Sequence, residues 1–187
     1  MSELEIRPAT SADADAIATL HVASWAESYA SLAPAEVLAD YTLETRLAQW
    51  RETLGAADAG RPAPSVFLAL RADGVPVGFC ACGGQQNDVL GERGYAGEFQ
   101  AIYLLKEAQR RGLGRRLMRR MAEDLRARGI EWASLWVLRH NFSARRFYEK
   151  IGGRKIAVEG AWRGVPEVAY GWRDLGLLID PPPARPW

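Results

Sequence analysis

Apolar residues recur along the chain with two periods, and the changes between them mark out helices and strands. Glu3 to Pro8 reads as a first strand, and Thr10 or Ser11 can cap a helix with apolar positions Ile17, Leu20, Val22 and Trp25. Pro34 to Leu54 follows as two helical pieces striped by Val37, Leu38, Leu43, Leu47, Trp50 and Leu54, with Gly55 to Pro64 as a loop. Val66 to Leu70 and Val75 to Cys82 read as a hairpin turning at Asp73-Gly74. A polar, glycine-rich crossing from Gly83 to Gly97 leads to a strand from Glu98 to Leu105. Leu113, Leu117, Met121 and Leu125 then recur at i+4 and predict an amphipathic helix that stops at Gly129. Ala133 to Leu138 is a compact apolar strand, and the strand–helix unit it opens ends at Gly152-Gly153. Arg154 to Val158 and Val165 to Trp172 close the pattern as an antiparallel pair around Trp162-Arg163-Gly164. Pro181, Pro182, Pro183 and Pro186 make an extended tail. With no internal repeat or linker, residues 1–175 are expected to form one domain, followed by a Pro-rich tail at 176–187.

The candidate chemistry concentrates just before the amphipathic helix. Gln109-Arg110-Arg111-Gly112-Leu113-Gly114 places two glycines and a run of backbone amides at a helix N-terminus, where unpaired N–H groups and partial positive charge suit a diphosphate. Arg110, Arg111, Arg115 and Arg116 crowd that same end and oppose the helix dipole unless a polyanion sits there. A Walker loop needs Gly-Lys-Ser/Thr, whereas this chain has Gly114-Arg115-Arg116 and no hydroxyl for magnesium. A dinucleotide fingerprint needs a third glycine where Leu117 stands, and Glu131 is poorly placed to bind a ribose.

The loop resembles the Gln/Arg-x-x-Gly-x-Gly/Ala acyl-CoA loop of the GNAT (GCN5-related N-acetyltransferase) superfamily. Downstream, the segment from Asn141 through Ala144 and Tyr148 to Gly152 is similar to that family's Asn-x-x-Ala-x-x-x-Tyr-x-x-x-Gly pattern. The resemblance implies an α/β (α+β) fold: a mixed, mostly antiparallel central sheet flanked by helices, its fourth and fifth strands parallel and splayed. The order of elements read above agrees with it up to about Leu175. Lys106 in place of a strand-ending proline, Arg110 in place of a glycine and Gly153 in place of an aromatic depart from the pattern.

Residue roles follow from the same resemblance. Acetyl-CoA is the implied co-substrate, without a metal. Main-chain groups of Ile102, Tyr103 and Leu104 are expected to bond its pantetheine arm. Gln109, Arg110, Arg111, Gly112, Leu113, Gly114 and Arg115 are expected at its diphosphate, and Asn141, Ala144 and Tyr148 at further cofactor contacts. An amine with a pKa near ~10 must lose a proton before it attacks a thioester, which makes Glu98 the expected general base. Tyr148 stands at the family's general-acid position. His140 is a competing base, and His21 reads as structural. For the acceptor, Trp25 and Tyr29, spaced i and i+4 beside Glu27, suit an amine or a flat ligand through cation–π contact. Gln100, on the strand face of Glu98, is expected to order water or substrate there.

Composition narrows the partners. A formal net charge of +1 on 187 residues argues against a general nucleic-acid or membrane-surface binder. No run of about 20 apolar residues or basic leader is present, so a cytoplasmic protein is expected. Cys80 and Cys82 lie two apart on one strand face, a poor arrangement for a disulfide or a metal. The expected activity is acetyl transfer to a primary amine of a small molecule by direct attack in a ternary complex. A peptide or protein N-terminal acetyltransferase and a non-catalytic acyl-CoA sensor are the alternatives, and a homodimer is left open.

Overall fold

The computed structural model describes residues 4–29 and 32–181. Glu3, Pro182, Pro183, Pro186 and the side chain of Tyr29 lie outside what is described. Strand β1 (Glu5–Pro8) leads into a cap built on Asp13, which accepts the Thr10 N–H at 2.9 Å and both guanidinium arms of Arg7 at 2.7 and 2.8 Å. Three helices follow, α1 (Ala14–Tyr29), α2 (Ala35–Ala39) and α3 (Leu43–Asp58), the last capped by the Thr42 hydroxyl. Helix α3 runs a turn beyond the expected stop at Leu54. A mid-helix glycine costs only about 1 kcal/mol, and half-buried Gly55 and Ala56 carry the helix on to Asp58, whose carboxylate accepts the Ser11 N–H at 3.2 Å.

The hairpin of β2 (Ser65–Leu70) and β3 (Pro76–Gly84) is followed by a crossing that holds a short helix, α4 (Asp88–Gly91), capped by Asn87. Then come β4 (Gly97–Leu104), α5 (Leu113–Ala127), β5 (Ala133–Leu138) and α6 (Phe142–Lys150). The antiparallel pair β6 (Arg154–Trp162) and β7 (Val165–Trp172) closes the sheet. Strand β6 passes its expected end at Val158 because an irregularity between Ile156 and Glu159 restores pairing down to Trp162 opposite Val165. The expected tail starts with a helix, α7 (Gly176–Ile179), whose Leu178 is buried in the main core.

The seven strands lie in the order β1-β2-β3-β4-β5-β7-β6. Neighbours are antiparallel except β4 and β5, which are parallel because α5 carries the chain back across one face. On that face α5 and α6 bury Leu113, Leu117, Met121 and Leu125 against Phe99, Leu135, Tyr170 and Trp172. The other face is covered in two patches. Helices α1 and α3 bring Ile17, Trp50 and Leu54 onto Leu68 and Phe79, while Leu90 and Tyr95 of the crossing pack on Ile156 and Ala169. The boundary between the patches falls where β4 meets β5.

Candidate active site

Strands β4 and β5 are paired only at Gly97 with Ala133 and Glu98 with Ser134. Both continue beyond those residues, so a wedge opens in the sheet. The far edge of β4 shows one cause: its register with β3 shifts after Ala81, leaving Gln100 unmatched between Phe99 and Ala101. A bulge of this kind bends a strand and increases its twist. Ile102, Tyr103 and Leu104 lie beyond the last β5 partner, where the sequence places them. The Leu104 carbonyl already accepts a hydrogen bond from Gln109 Nε2 at 3.1 Å, so Gln109 ties the following loop to the end of β4.

That loop enters α5 through two left-handed residues, Arg110 at φ 61° and Gly112 at φ 81°. Among the described residues no acceptor meets the backbone N–H groups of Arg110 through Arg115, and the first turn of α5 holds no acidic residue. The ion pairs of α5 all lie further along, at Arg119 and Arg120 with Glu123, Arg126 with Glu131 and Arg128 with Asp124. Exposed Arg110, Arg111 and Arg115 therefore add cationic charge to a helix N-terminus rich in unpaired donors, which fits a diphosphate. The two glycines have different duties. A Cβ on Gly112 meets nothing within 4 Å, so its backbone angle requires glycine, whereas a Cβ on Gly114 meets the Phe147 ring at 3.2 Å. Gly112 shapes the cradle and Gly114 seats α5 against α6.

The two expected catalytic side chains flank the wedge from opposite faces. Glu98 is half-buried and accepts the Gln86 N–H at 3.1 Å; burial pushes its carboxyl up against the pull of that donor. Tyr148, on α6, is buried among Phe147, Tyr170 and Trp172. Burial raises its hydroxyl far above the usual phenol range, with Tyr103 as a second contributor, so the proton stays on at neutral pH. The space left by Gly153 is filled: the Trp172 indole stands 2.6 Å from where a Cβ would go. Asn141 caps α6 by accepting the Ala144 N–H at 3.1 Å, which commits one side-chain atom of Asn141 and the amide of Ala144 to the helix.

The two imidazoles differ in exposure. His140 is exposed beside Phe142. His21 is buried, its Nδ1 accepts from Trp50 Nε1 at 3.1 Å, and desolvation pushes it down to about 3, so it is neutral. Cys80 and Cys82 are buried thiols, Cys82 pushed up to about 12 by desolvation. Among the described residues no group of three or more His, Cys, Asp or Glu is placed to hold a metal. No described helix is long and apolar enough to cross a membrane.

Strand register gathers the acceptor side. Paired residues share a face and alternate residues return to it, so Glu98, Ser134, Trp136, Leu138, Glu167 and Trp162 all project on the side of α1. Gln100 is on that side too, its amide 3.0 Å from a Cβ built on Gly83, the partner of Glu98. Trp25 is buried and stacks on Tyr41 with ring centroids 3.9 Å apart, and Trp162 lies 5.2 Å from Trp25. Arg46 covers Tyr41 at 4.4 Å, and an Arg163–Asp40 ion pair ties the β6–β7 turn to the end of α2. The sequence reading named Trp25 and Gln100 as acceptor candidates; Tyr41, Trp162 and Glu167, which the structure brings to the same side, it did not name. Trp162 was legible only as part of a turn, and Glu167 only as a charge inside an otherwise apolar strand.

These features agree with comparisons to known proteins. A profile of the Acetyltransferase (GNAT) family matches residues 21–153. An uncharacterized N-acetyltransferase, YuaI, of Bacillus subtilis (strain 168) is 32% identical over 176 residues, which covers 92% of this chain and 95% of that protein. Among solved structures, PaiA N-acetyltransferase from Thermoplasma acidophilum in complex with coenzyme A superposes with a TM-score of 0.71 at 20% identity, over 90% of this chain and 98% of its own. YncA, a putative acetyltransferase from Salmonella typhimurium with its cofactor acetyl-CoA, gives 0.64 at 21% identity, over 93% and 95%. A split parallel pair, a glycine-bent amide cradle and these sequence relationships together establish that the chain belongs to the GNAT family and is an N-acetyltransferase.

Proposed function

We propose that the protein transfers an acetyl group from acetyl-CoA to a primary amine of a small molecule, by direct attack in a ternary complex. The observation that carries this reading is the wedge between β4 and β5, open beside a helix N-terminus with six consecutive unpaired amides, Arg110 through Arg115. The amides and arginines of that loop hold the diphosphate, and the main chain of Ile102 to Leu104, beyond the last β5 partner of β4, holds the pantetheine arm as a strand would. Bound there, acetyl-CoA supplies the activated acetyl thioester. Glu98 takes the ammonium proton from the acceptor side, and its elevated proton affinity brings it nearer the pH at which the proton must move. Tyr148 delivers a proton to the departing thiolate from the other side. Trp25, Tyr41 and Trp162 wall the acceptor side with aromatic rings, which favours a small cationic ligand over an extended peptide. A thiol-release assay over amine, amino-acid, polyamine, aminoglycoside and peptide panels tests the proposal. Turnover with a small amine is expected; turnover with peptides alone, or acetyl-CoA binding without any thiol release, overturns it.

A further inference from the structure

Glu167 is an acidic side chain of this face that the catalytic scheme leaves unused. It sits on β7 opposite Leu138 of β5 and Gly160 of β6, half-buried, on the same sheet face as Glu98 and two residues from Val165, the partner of Trp162. Among the described residues no donor reaches its carboxylate. Of the arginines on the flanking segments, Arg139, just after β5, bonds Glu159 at 3.0 Å, and Arg163 of the β6–β7 turn pairs with Asp40. Arg46, from α3, bonds Gln49 and covers Tyr41. The ionisable group that acts on Glu167 electrostatically is Glu98, across the wedge. A half-buried carboxylate with a second carboxylate as neighbour and no counter-ion is unfavourable unless a cation arrives.

We infer that Glu167 is a second acceptor-side carboxylate, standing toward the open end of the wedge as Glu98 stands at its closed end, that the acceptor's ammonium is received on this face between them, and that the acceptor is therefore bound as a cation against the Trp162 wall. This rests on the acetyl-transfer reading and deepens it. The nitrogen of an ammonium sheds two protons on becoming an amide. One leaves before attack, freeing the lone pair that forms the N–C bond, and one leaves the adduct as the C–S bond breaks. One proton balances the thiol formed and the other goes to solvent, so a carboxylate pair offers a station for each. Glu167 is also poised in proton affinity: burial and Glu98 push it up to about 7, the range in which a base both accepts and returns protons at neutral pH.

The test uses the whole protein with 13C-labelled glutamate side chains, followed by NMR as pH is varied, with n-butylammonium as probe and n-butanol as its uncharged control. Glu167 should titrate well above the ordinary carboxylate range, E98Q should lower its midpoint by about a unit, and butylammonium but not butanol should lower it further. Kinetically, E167Q should raise the amine KM about tenfold or more while the KM for acetyl-CoA stays unchanged, and E167D should recover part of the loss. An ordinary midpoint unmoved by E98Q and by butylammonium, or an unchanged amine KM in E167Q, overturns the inference. Failure of every amine to release thiol, with the NMR shifts intact, instead removes the acetyl-transfer reading and leaves an ammonium-binding site.

Discussion

At the scale of single residues, environment sets what each ionisable group does. Tyr148 is a phenol that burial keeps protonated, so Tyr148→Phe should lower the chemical step about 100-fold while coenzyme A affinity, read by calorimetry, stays within twofold. Pre-steady-state thiol release is the measurement, because slow product release can mask the loss. Glu167 carries a pH prediction. Its folded-state affinity for a proton exceeds the ordinary value of 4.5 and reaches about 7, so the folded state binds more protons than the unfolded one between those values. Stability contributed by the neutral acid is full at low pH and is lost as pH rises through about 7. Glu167→Gln should therefore stabilise the protein at pH 8 by about 1–2 kcal/mol after allowance for partial exposure, a rise of a few degrees in Tm, and by nothing at pH 4.5. A melting series across that range checks the sign.

At the scale of elements, the informative features are junctions. Gly112 caps α5 in a left-handed conformation with free space where a Cβ would stand, so Gly112→Ala adds about 1–2 kcal/mol of backbone strain without a clash. The loop is expected to relax by turning its amides away, weakening coenzyme A about tenfold in calorimetry with little change in amine KM; unchanged affinity would show that the cradle does not depend on this backbone angle. Strand β4 makes a second junction: its bulge at Gln100 and its early separation from β5 create the wedge. The helix stripes were legible because burial on one face dictates which residues are apolar, and Ala133 to Leu138 because a strand buried on both faces reads as a short apolar run. The overrun of α3 past Gly55 and the length of β6 were not, since tertiary burial and an irregular register override local propensity there.

At the scale of the whole molecule, the aromatic wall proposed for the acceptor is assembled from parts of the chain far apart in sequence. Trp25 comes from α1, Tyr41 from the turn after α2, and Trp162 from the end of β6, held together by ring contacts and by Arg163 with Asp40. Trp162→Ala should raise the amine KM several-fold while leaving coenzyme A affinity intact; equal loss for both ligands would place Trp162 outside the acceptor site. The sequence by itself determined the family and the order of elements. It also located the amide loop before α5 and the candidates Glu98 and Tyr148, because these depend on spacing within one segment and on one face of one helix. Only the tertiary structure decided which aromatics meet, which glycine shapes the loop and which lets two helices pack, and that Glu167 shares a sheet face with Glu98. The placing of Glu167 and Trp162 depends on register between strands distant in the chain, where a one-residue slip would turn each side chain to the other face of the sheet, and the rest depends on how helices and turns pack.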